Sequence, residues 1–486
     1  MNTWTFPSLR HDGITLVAGL GTTGLAAIRW LLRAQVRVRV VDTRSEPAGL
    51  QALHHLPGHD AMELHLGQPA WDAALLEDVH TVVISPGLSP LDQQLRELLR
   101  SAREQHVDIV GETELFARAL QDLRAQGHAH RLLAVTGTNG KTTVTAMTAH
   151  LLAAAGQAVQ TAGNISPAAL DALADALDSG KLPDTWVIEL SSFQLYSTHS
   201  LQADAVALLN LSQDHLDWHG SFADYAEAKG NLLKQGALAI VNRTDPQVRK
   251  RVAGLPRSAV ITFGSDSPDS DGSLGVTTVG ALDWLAAGSR SEPQALLPIN
   301  ALRIPGQHNI LNAQAAVLLA RAAGMALEDA ISALPTYLGE PHRMAFVRNI
   351  AGVDFYNDSK GTNVAATVAA LSGQDGRAVL IAGGQGKGQD FSSLVRAASR
   401  HAHHVVLIGE AAQDLKLLLE AAGVPCQIAS SLQDAVDAAF RAADYQGRVV
   451  LSPACASHDM FADYIDRGKQ FMAAVDQLAL DQGEVA

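Results

Sequence analysis

The sequence predicts an α/β fold of three consecutive domains, and the observations behind this prediction are two glycine-rich turns and a repeated strand pattern. The turn at 19–24 follows the predicted strand 14–18, and the turn at 137–143 follows the apolar run 132–135. Short apolar runs alternate with alanine- and leucine-rich amphipathic stretches along the chain, which is typical of parallel sheets covered by helices. We therefore expect a Rossmann-like N-terminal domain over 1–111, a P-loop ATPase-like central domain over 112–340 and a Rossmann-like C-terminal domain over 341–486.

The first domain begins with a predicted βαβ unit. Strand 14–18, the glycine turn and helix 25–34 lead into strand 36–41, which ends at Asp42. Glycines allow the tight turn, the helix N-terminus attracts a diphosphate, and an acidic residue about 20 positions on suits a sugar hydroxyl or a base edge. Further strands are predicted at 81–84 and 108–110. Taken alone, this unit favours a nicotinamide-dependent dehydrogenase.

The second turn predicts a phosphate-binding loop. Backbone N–H groups of the loop and the N-terminus of the next helix face an anion, Lys141 adds a positive charge, and Thr142 offers a hydroxyl to Mg²⁺. Val135 occupies the position six residues before Lys141, so the spacing differs from the usual P-loop pattern. The loop predicts a nucleoside triphosphate, and the alternative is a glycine turn with a solvated lysine.

Polar residues follow two more predicted strands of the central domain. Glu189 lies at the end of strand 186–190, at the edge of a parallel sheet where ligands bind, and it suits the metal of a Mg-nucleotide. Strand 205–209 leads into a run with two histidines; His215 is expected to bind metal or position phosphate, while His219 fits this role or a purely structural one equally well. Lys229 lies on a predicted helix, and because most lysines on helices are solvated, we expect a surface charge there.

The remaining elements complete the three-domain prediction. Segment 265–298 is rich in Ser, Asp and Gly, and we expect a surface excursion or a small antiparallel insert there. A helix is predicted at 309–323. The other strands are predicted at 238–241, 260–263, 353–356, 378–382, 404–408 and 448–452.

Composition limits the class of protein. The net charge of -14 argues against broad binding to nucleic acid or a membrane surface, because neutralising phosphates needs a basic excess. Two cysteines in 486 residues fit a reducing compartment. The chain has no apolar leader and no apolar run long enough to span a bilayer, so we expect a cytoplasmic protein.

Several motifs in a fixed order resemble the Mur ligase family. They lie at 137–143, 189–195, 210–219, 225–229, 306–312, 341–343, 358–363 and 452–457. Within the family, the opening turn, the triplet 42–44 and the run 189–195 most resemble the ligases that add D-glutamate to UDP-N-acetylmuramoyl-L-alanine. The resemblance implies an ADP-forming ligase of cytoplasmic peptidoglycan synthesis, and so a role in cell wall biogenesis, cell shape and cell division.

The resemblance also implies the chemistry. ATP phosphorylates the carboxylate of the UDP-muramoyl substrate, and the amine of the amino acid displaces phosphate from the acyl phosphate. Lys141, Lys229, His215 and Arg343 are the implied catalytic residues. Two Mg²⁺ ions are implied, with Thr142, Glu189, His215 and a CO₂-derived carbamate on Lys229 as ligands. We expect a monomer that takes small-molecule substrates.

The resemblance assigns the remaining site residues to three ligands. The implied ATP-binding residues are Gly137, Thr138, Asn139, Gly140, Lys141, Thr142, Thr143, Asn309, Asn312, Arg343 and Asp358. The implied residues for the UDP substrate are Gly19, Leu20, Gly21, Thr22, Thr23, Gly24, Asp42, Thr43, Arg44, Ser85 and Asn164. Lys360, Thr362, Lys387 and Ser457 are implied for glutamate. Two departures from the family pattern are Gln385, where an acid is frequent, and Ser166, where glycine is usual.

Three alternatives to this function remain at the level of sequence. The first is the dehydrogenase, against which the second phosphate loop argues, because hydride transfer has no use for a triphosphate site. The second is the related folylpolyglutamate synthase, which lacks an N-terminal uridine-binding domain of this kind. The third is a non-catalytic nucleotide sensor of the same fold.

Overall fold

A computed structural model describes residues 4–68, 71–289, 291–304, 306–372, 376–386, 388–443 and 447–484. The described strands form three sheets. The chain divides into two compact units, one made of Met1–Pro298 with Leu311–Leu334 and the other of Ile299–Ile310 with Pro335–Ala486. In the described part of the chain, no helix combines the length and the apolar character that crossing a bilayer requires.

The first sheet is parallel and belongs to the first unit. Its order is β3-β2-β1-β4-β5, so the order reverses at β1, where a ligand crevice is expected in open α/β sheets. Its strands are β1 Ile14–Ala18, β2 Arg37–Asp42, β3 Glu63–Leu66, β4 Val79–Ile84 and β5 Asp108–Val110. Its helices are α1 Thr22–Arg33, α2 Leu50–Leu53 and α3 Gln93–Glu104, with 3₁₀ turns at His59–Ala61 and Ala73–Leu76.

The second sheet has the order β14-β13-β12-β11-β10-β9-β6-β8-β7 and also belongs to the first unit. Its strands are β6 Arg131–Thr136, β7 Val159–Gly163, β8 Thr185–Glu189, β9 Ala203–Leu208, β10 Gly236–Asn242, β11 Val260–Phe263, β12 Leu274–Val279, β13 Leu282–Gly288 and β14 Pro293–Pro298. The last three pair antiparallel, which confirms the predicted antiparallel insert, while β6 to β11 pair in parallel.

Helices accompany the second sheet along the chain. They are α4 Glu112–Ala125, α5 Lys141–Ala154, α6 Ala169–Ser179, α7 Ser192–Tyr196, α8 Leu216–His219, α9 Phe222–Gly230, α10 Pro246–Val252, α11 Gln307–Ala322 and α12 Leu327–Ala333. The 3₁₀ turns are Asn231–Lys234, Arg257–Ala259, Ile299–Ala301 and Leu334–Thr336. Strand β6 is buried from Leu132 to Thr136, because its apolar side chains are covered on both faces.

The third sheet forms the core of the second unit. Its order is β15-β16-β20-β17-β18-β19, with only the β15–β16 pair antiparallel among the described strands. Its strands are β15 Ala345–Ile350, β16 Val353–Asn357, β17 Ala378–Gly383, β18 Ala402–Ile408, β19 Cys426–Ile428 and β20 Gly447–Leu451. Its helices are α13 Val364–Ser372, α14 Ser392–His401, α15 Ala412–Ala421, α16 Leu432–Ala442 and α17 Tyr464–Asp481.

A buried carboxylate lies at the start of α4. Glu112 is 2% exposed, and its Oε1 accepts a hydrogen bond from Leu170 N at 2.6 Å. Burial raises the pKa of Glu112 to about 7, and the nearby Asp171 adds to the shift. The folded protein therefore binds this proton more tightly than the unfolded chain does.

We expect Glu112→Gln to stabilise the fold at alkaline pH. The wild type loses stability as pH rises from the ordinary carboxyl pKa of about 4.5 to about 7, since the unfolded chain ionises first, whereas the glutamine is neutral throughout. Urea unfolding at about pH 8 should show a gain on the order of 2 kcal/mol that shrinks towards zero near pH 4. A gain of equal size at both pH values would contradict this account.

Candidate active site

The phosphate loop joins the end of β6 to the start of α5. Gly140 has φ +84°, a left-handed conformation that favours glycine, and a Cβ there would lie 2.5 Å from Asn312 Oδ1. The close approach of α11 and the backbone conformation thus both require glycine. The structure confirms the predicted order of strand, glycine loop and helix, and it brings Asn312 to this loop.

The segment after β9 braces the phosphate loop. Asn139 N donates to Asn210 Oδ1 at 2.8 Å, and Asn210 Nδ2 donates to Asn139 O at 3.0 Å. Thr138 N donates to Asn210 O at 3.0 Å, and the hydroxyls of Thr138 and Tyr225 are 2.8 Å apart. Asn210 and Tyr225 thus fix the loop shape, a role that the sequence prediction did not give them.

Lys141 lies over its own loop. Its Nζ donates to Gly137 O at 3.0 Å and to Thr138 O at 2.9 Å. Since Lys141 is also the first residue of α5, its charge adds to the positive end of that helix. This end of the helix is therefore suited to polyphosphate, as the sequence predicts.

Glu189 connects two residues that were predicted for different ligands. Thr142 Oγ1 donates to Glu189 Oε2 at 2.6 Å, and Asn164 Nδ2 donates to Glu189 Oε1 at 2.8 Å. Glu189 is 2% exposed. Carboxylate and hydroxyl oxygens are ligands that Mg²⁺ prefers, so the pair formed by Thr142 and Glu189 fits one such ion.

Lys229 is buried, and the base-rate reading of a solvated lysine is wrong. Lys229 is only 2% exposed. Its Nζ donates to Gly137 O at 2.9 Å and lies 3.4 Å from Thr136 Oγ1. Nζ also lies 5.1 Å from the ring centroid of Tyr225. Burial, reinforced by the charge of Lys141, lowers the pKa of Lys229 well below its ordinary value, which favours the neutral amine.

The two histidines of the loop after β9 have different surroundings. His215 is exposed; its Nε2 is 3.5 Å from Asp214 Oδ2, and its ring packs edge-on against Phe193. Partial desolvation lowers its pKa, as do Lys229 and Lys141, while Asp214 opposes the shift. Among the described residues, no three His, Cys, Asp or Glu side chains gather as a metal-binding group.

The surroundings of His219 match the structural role, which the sequence left open beside metal binding. It is buried, and its Nε2 lies 2.9 Å from Ser192 Oγ. Its ring contacts those of Phe193, Trp218 and Tyr225. Burial lowers the pKa of His219 to about 4, so a neutral ring holds α8 and α9 beside α7.

The glycine turn of the first sheet is braced by Asp42 and Ser85. Asp42 Oδ2 accepts from Leu20 N at 2.7 Å, and both carboxylate oxygens accept from the Arg44 guanidinium. Burial alone would raise the pKa of Asp42, but the hydrogen bonds from Arg44 and Leu20 outweigh it and lower the pKa. Ser85 Oγ donates to Gly19 O at 2.8 Å. Asp42, Arg44 and Ser85 therefore all lie at the turn, while Thr43 is exposed beside them.

We expect Gly24→Ala to destabilise this turn. A Cβ at Gly24 would lie 2.0 Å from Gly19 O, so the loop must shift, and the loss should be about 2 kcal/mol. Gly21→Ala is the matched control for stability, because a Cβ at Gly21 meets nothing within 4 Å. Equal unfolding free energies of the two variants in urea would contradict the argument.

The second unit places Arg343, Asp358 and His342 in one region. Asp358 Oδ2 accepts from Ser452 Oγ at 2.7 Å, and burial raises its pKa to about 6 against the opposing effects of Ser452 and Arg343. The buried Arg343 Nε has no hydrogen-bond partner in the described part of the chain. His342 Nδ1 lies 3.0 Å from Asn357 Nδ2. This contact fixes the side chain of His342, which precedes Arg343 in the chain.

The residues predicted for glutamate lie on adjoining loops of the same unit. Lys360 N donates to His342 O, Thr362 N donates to Lys360 O, and Ala454 N donates to Gly361 O. The backbones of Gln385 and Ala456 form a two-bond bridge beside the buried Ser457. Lys387 lies outside the described residues.

Two further predicted residues lie near the ends of elements described above. Asn309 is buried on α11. Ser166 precedes a cis peptide bond to Pro167, and it is not among the described non-glycine residues with positive φ. A serine therefore adopts this backbone without the strain that a glycine would relieve.

Three family models match the chain. The Mur ligase MurD-like N-terminal domain matches residues 14–111, the Mur ligase middle domain matches 135–320, and the glutamate ligase domain of Mur ligases matches 342–455. Two curated relatives carry the name UDP-N-acetylmuramoylalanine–D-glutamate ligase. The protein of Bordetella avium is 50% identical, covering 97% of both chains, and that of Ralstonia nicotianae is 48% identical, covering 96% of this chain and 97% of its own.

Solved structures share the fold at low identity. UDP-N-acetylmuramate–alanine ligase from Thermotoga maritima matches with a TM-score of 0.57 at 18% identity, covering 96% of this chain and all of that chain. A folylpolyglutamate synthase of Mycobacterium tuberculosis complexed with ADP matches with a TM-score of 0.56 at 17% identity, covering 74% of this chain and 94% of that chain. At these identities the matches show a shared fold and no more.

Proposed function

We propose a function for this chain from one established premise: the chain belongs to the Mur ligase family. It is an ATP-dependent, ADP-forming ligase that adds D-glutamate to UDP-N-acetylmuramoyl-L-alanine in peptidoglycan precursor synthesis. The observation that carries this conclusion is the identity of about half of all residues, over nearly the full length, with ligases of that name. Roles in cell shape and cell division, a cytoplasmic location and a monomeric state remain parts of the proposal.

The reaction needs an activated carboxylate. A carboxylate is a poor electrophile, so an oxygen of the muramoyl-alanine carboxylate takes the terminal phosphoryl group of ATP, and ADP leaves. The amine of glutamate then attacks the acyl carbon, a proton is lost, and the C–O bond to phosphate breaks. The products are an amide, ADP and inorganic phosphate.

The phosphate loop is proposed to hold the triphosphate of ATP. The N–H groups of 137–143, the positive end of α5 and Lys141 supply the charge that a polyphosphate needs. Lys141 can exchange its two backbone carbonyl partners for phosphate oxygens. Asn309 and Asn312 on α11 are proposed for the adenine end and Asp358 for the ribose, and Arg343 is proposed for the transferred phosphoryl group.

Thr142 and Glu189 would hold one Mg²⁺. Their oxygens are already 2.6 Å apart, and Glu189 is buried, so the carboxylate is held where the hydroxyl lies. When bound, Mg²⁺ would neutralise negative charge on the phosphates. Asn164, through its bond to Glu189, orients the same carboxylate.

Lys229 is proposed to carry the carbamate. Burial beside Lys141 favours its neutral amine, whose lone pair forms an N–C bond with CO₂ while one proton leaves. The resulting anion has two oxygens, which, together with His215, would complete a second Mg²⁺ site. The anion would also lie near the positive charge of Lys141, which favours it.

The remaining residues are proposed to bind the two other substrates. The turn at 19–24 is proposed for the uridine diphosphate, with Asp42, Thr43 and Arg44 at the uracil and Ser85 and Asn164 towards the muramoyl group. Lys360, Thr362, Lys387 and Ser457 are proposed for glutamate, where the two lysines suit its carboxylates. We retain the division at 1–111, 112–340 and 341–486 as the functional one.

The proposed function is tested by phosphate release in the presence of ATP, Mg²⁺ and UDP-N-acetylmuramoyl-L-alanine. We expect turnover with D-glutamate and none with L-glutamate or without the UDP substrate. ATP binding with no substrate-dependent phosphate release would instead favour a nucleotide sensor, and binding of NADH without ATP would favour a dehydrogenase. Turnover with L-glutamate alone would overturn the assigned substrate.

A further inference from the structure

One fully buried arginine of the second unit is not among the residues predicted for the site. Arg467, in the first turns of α17, is 0% exposed. Buried arginines normally pair with carboxylates, yet no ion pair within 4 Å joins Arg467 to one in the described part of the chain. Its hydrogen-bond partners are instead a hydroxyl and backbone carbonyls.

These partners belong to two loops. Arg467 Nε donates to Ser359 Oγ at 3.0 Å, and one terminal nitrogen donates to Ser359 O at 2.8 Å. The other terminal nitrogen donates to Cys455 O at 3.2 Å and to Ala456 O at 3.4 Å. The planar guanidinium therefore links residue 359 with residues 455 and 456.

Both loops lead directly into residues proposed for glutamate. Ser359 precedes Lys360, and Ala456 precedes Ser457. Ala456 also forms the backbone bridge with Gln385, and a Cβ at Gly384 would lie 2.3 Å from Ala456 O and 3.3 Å from the Arg467 guanidinium. Three chain segments thus meet at this one side chain.

The geometry demands arginine rather than a positive charge alone. The planar guanidinium of arginine directs its N–H donors to both loops at once, whereas a lysine offers three donors from a single nitrogen. Burial lowers the pKa of Arg467 to about 10, which still leaves the group protonated and able to donate all these bonds at neutral pH.

We propose that Arg467 is a positioning residue of the amino-acid site, whose guanidinium fixes the loop of Lys360 relative to the loop of Ser457. The residue does not contact the substrate; it sets the distance between groups that do. The identity of the substrate as glutamate rests on the proposed function, while the ordering of the two loops does not.

The kinetic test uses Arg467→Lys and Ser359→Ala, each of which removes part of the link. For Arg467→Lys we expect KM for D-glutamate to rise about tenfold or more, with KM for ATP and kcat changed less than about threefold. Ser359→Ala should shift KM for D-glutamate in the same direction by a smaller factor. Arg243→Lys is the control, since the Arg243 side chain is only 8% exposed and, besides its ion pair with Asp266, donates to the carbonyls of Leu274, Asp266 and Ser267. It should lower the melting temperature and leave KM for D-glutamate unchanged.

The substrate-free test is hydrogen exchange of the intact protein measured by mass spectrometry. Arg467→Lys should speed exchange in segments 358–363 and 454–460 together, and Arg243→Lys should not. The positioning role would be overturned if Arg467→Lys left exchange in both segments unchanged, or if it lowered the melting temperature while KM for D-glutamate stayed unaltered. A wild type that binds no glutamate would overturn the proposed function instead, and the exchange data would still decide whether Arg467 orders the loops.

Discussion

Lys229→Ala is expected to lose activity by about a thousandfold or more, because it removes the proposed carbamate at the phosphate loop. The amine is buried and donates to Gly137 O, so the substitution removes both the reacting group and its contact with the loop. Short carboxylates such as acetate should partly restore phosphate release, since they supply two oxygens to the vacated space.

Lys234→Ala is the matched control for this variant. Lys234 lies five residues further on in an exposed position, and its removal should leave kcat unchanged. Undiminished activity of Lys229→Ala would contradict the carbamate role. Failure of carboxylates to rescue, with the fold intact by circular dichroism, would contradict the oxygen-donor role.

Glu189→Gln is expected to lower kcat by about a hundredfold or more and to raise the Mg²⁺ concentration needed for half-maximal rate. Glutamine keeps the size of the side chain and one carbonyl oxygen for Thr142 or Asn164, but it removes the negative charge that the ion requires. A Mg²⁺ titration of the steady-state rate measures both effects.

Glu227→Gln provides the comparison, because Glu227 is an exposed carboxylate on α9 outside the proposed metal site. Its Mg²⁺ dependence should match that of the wild type. An unaltered Mg²⁺ dependence in Glu189→Gln would remove Glu189 from the metal site, whatever the change in kcat.

The sequence predicts those parts of the fold that have a strong local cause. Ile14–Ala18 and Val260–Phe263 are mostly apolar runs, each with one threonine and each followed by a glycine, and the structure confirms both strands with the predicted bounds. The phosphate loop is similarly local, since glycines and a helix start within a few residues define it. Helix α1 begins at Thr22, three residues before the prediction, because the glycine turn itself passes directly into the helix.

The sequence prediction missed strands that lack a strong local signal. Glu63–Leu66, Val159–Gly163 and Cys426–Ile428 are short edge strands with mostly half-buried or exposed residues, so they lack a continuous apolar run. Their pairing partners β2, β8 and β18 supply the stability, and these lie far away in sequence. Tertiary context, which a single sequence does not display, decides these strands.

The same distinction applies to the site. The strand ends predict that Glu189 lies near the phosphate loop, and its 2.6 Å bond to Thr142 agrees with this prediction. The burial of Lys229 depends on how α9 packs against α7, α8 and α10, and its side chain then reaches Thr136 at the end of β6, so the sequence alone left it as a surface lysine. Arg467 was missed because a charged residue on an amphipathic helix normally faces water.

The central claim is that the terminal phosphoryl group of ATP passes to the carboxylate of the UDP substrate before the amide forms. The direct measurement uses UDP-N-acetylmuramoyl-L-alanine with both carboxylate oxygens labelled by ¹⁸O, followed by mass spectrometry of the phosphate released with D-glutamate. The account predicts one ¹⁸O atom in each phosphate and the other in the amide product. Phosphate without ¹⁸O would contradict it, because the C–O bond of the carboxylate would then have broken without passing its oxygen to phosphorus.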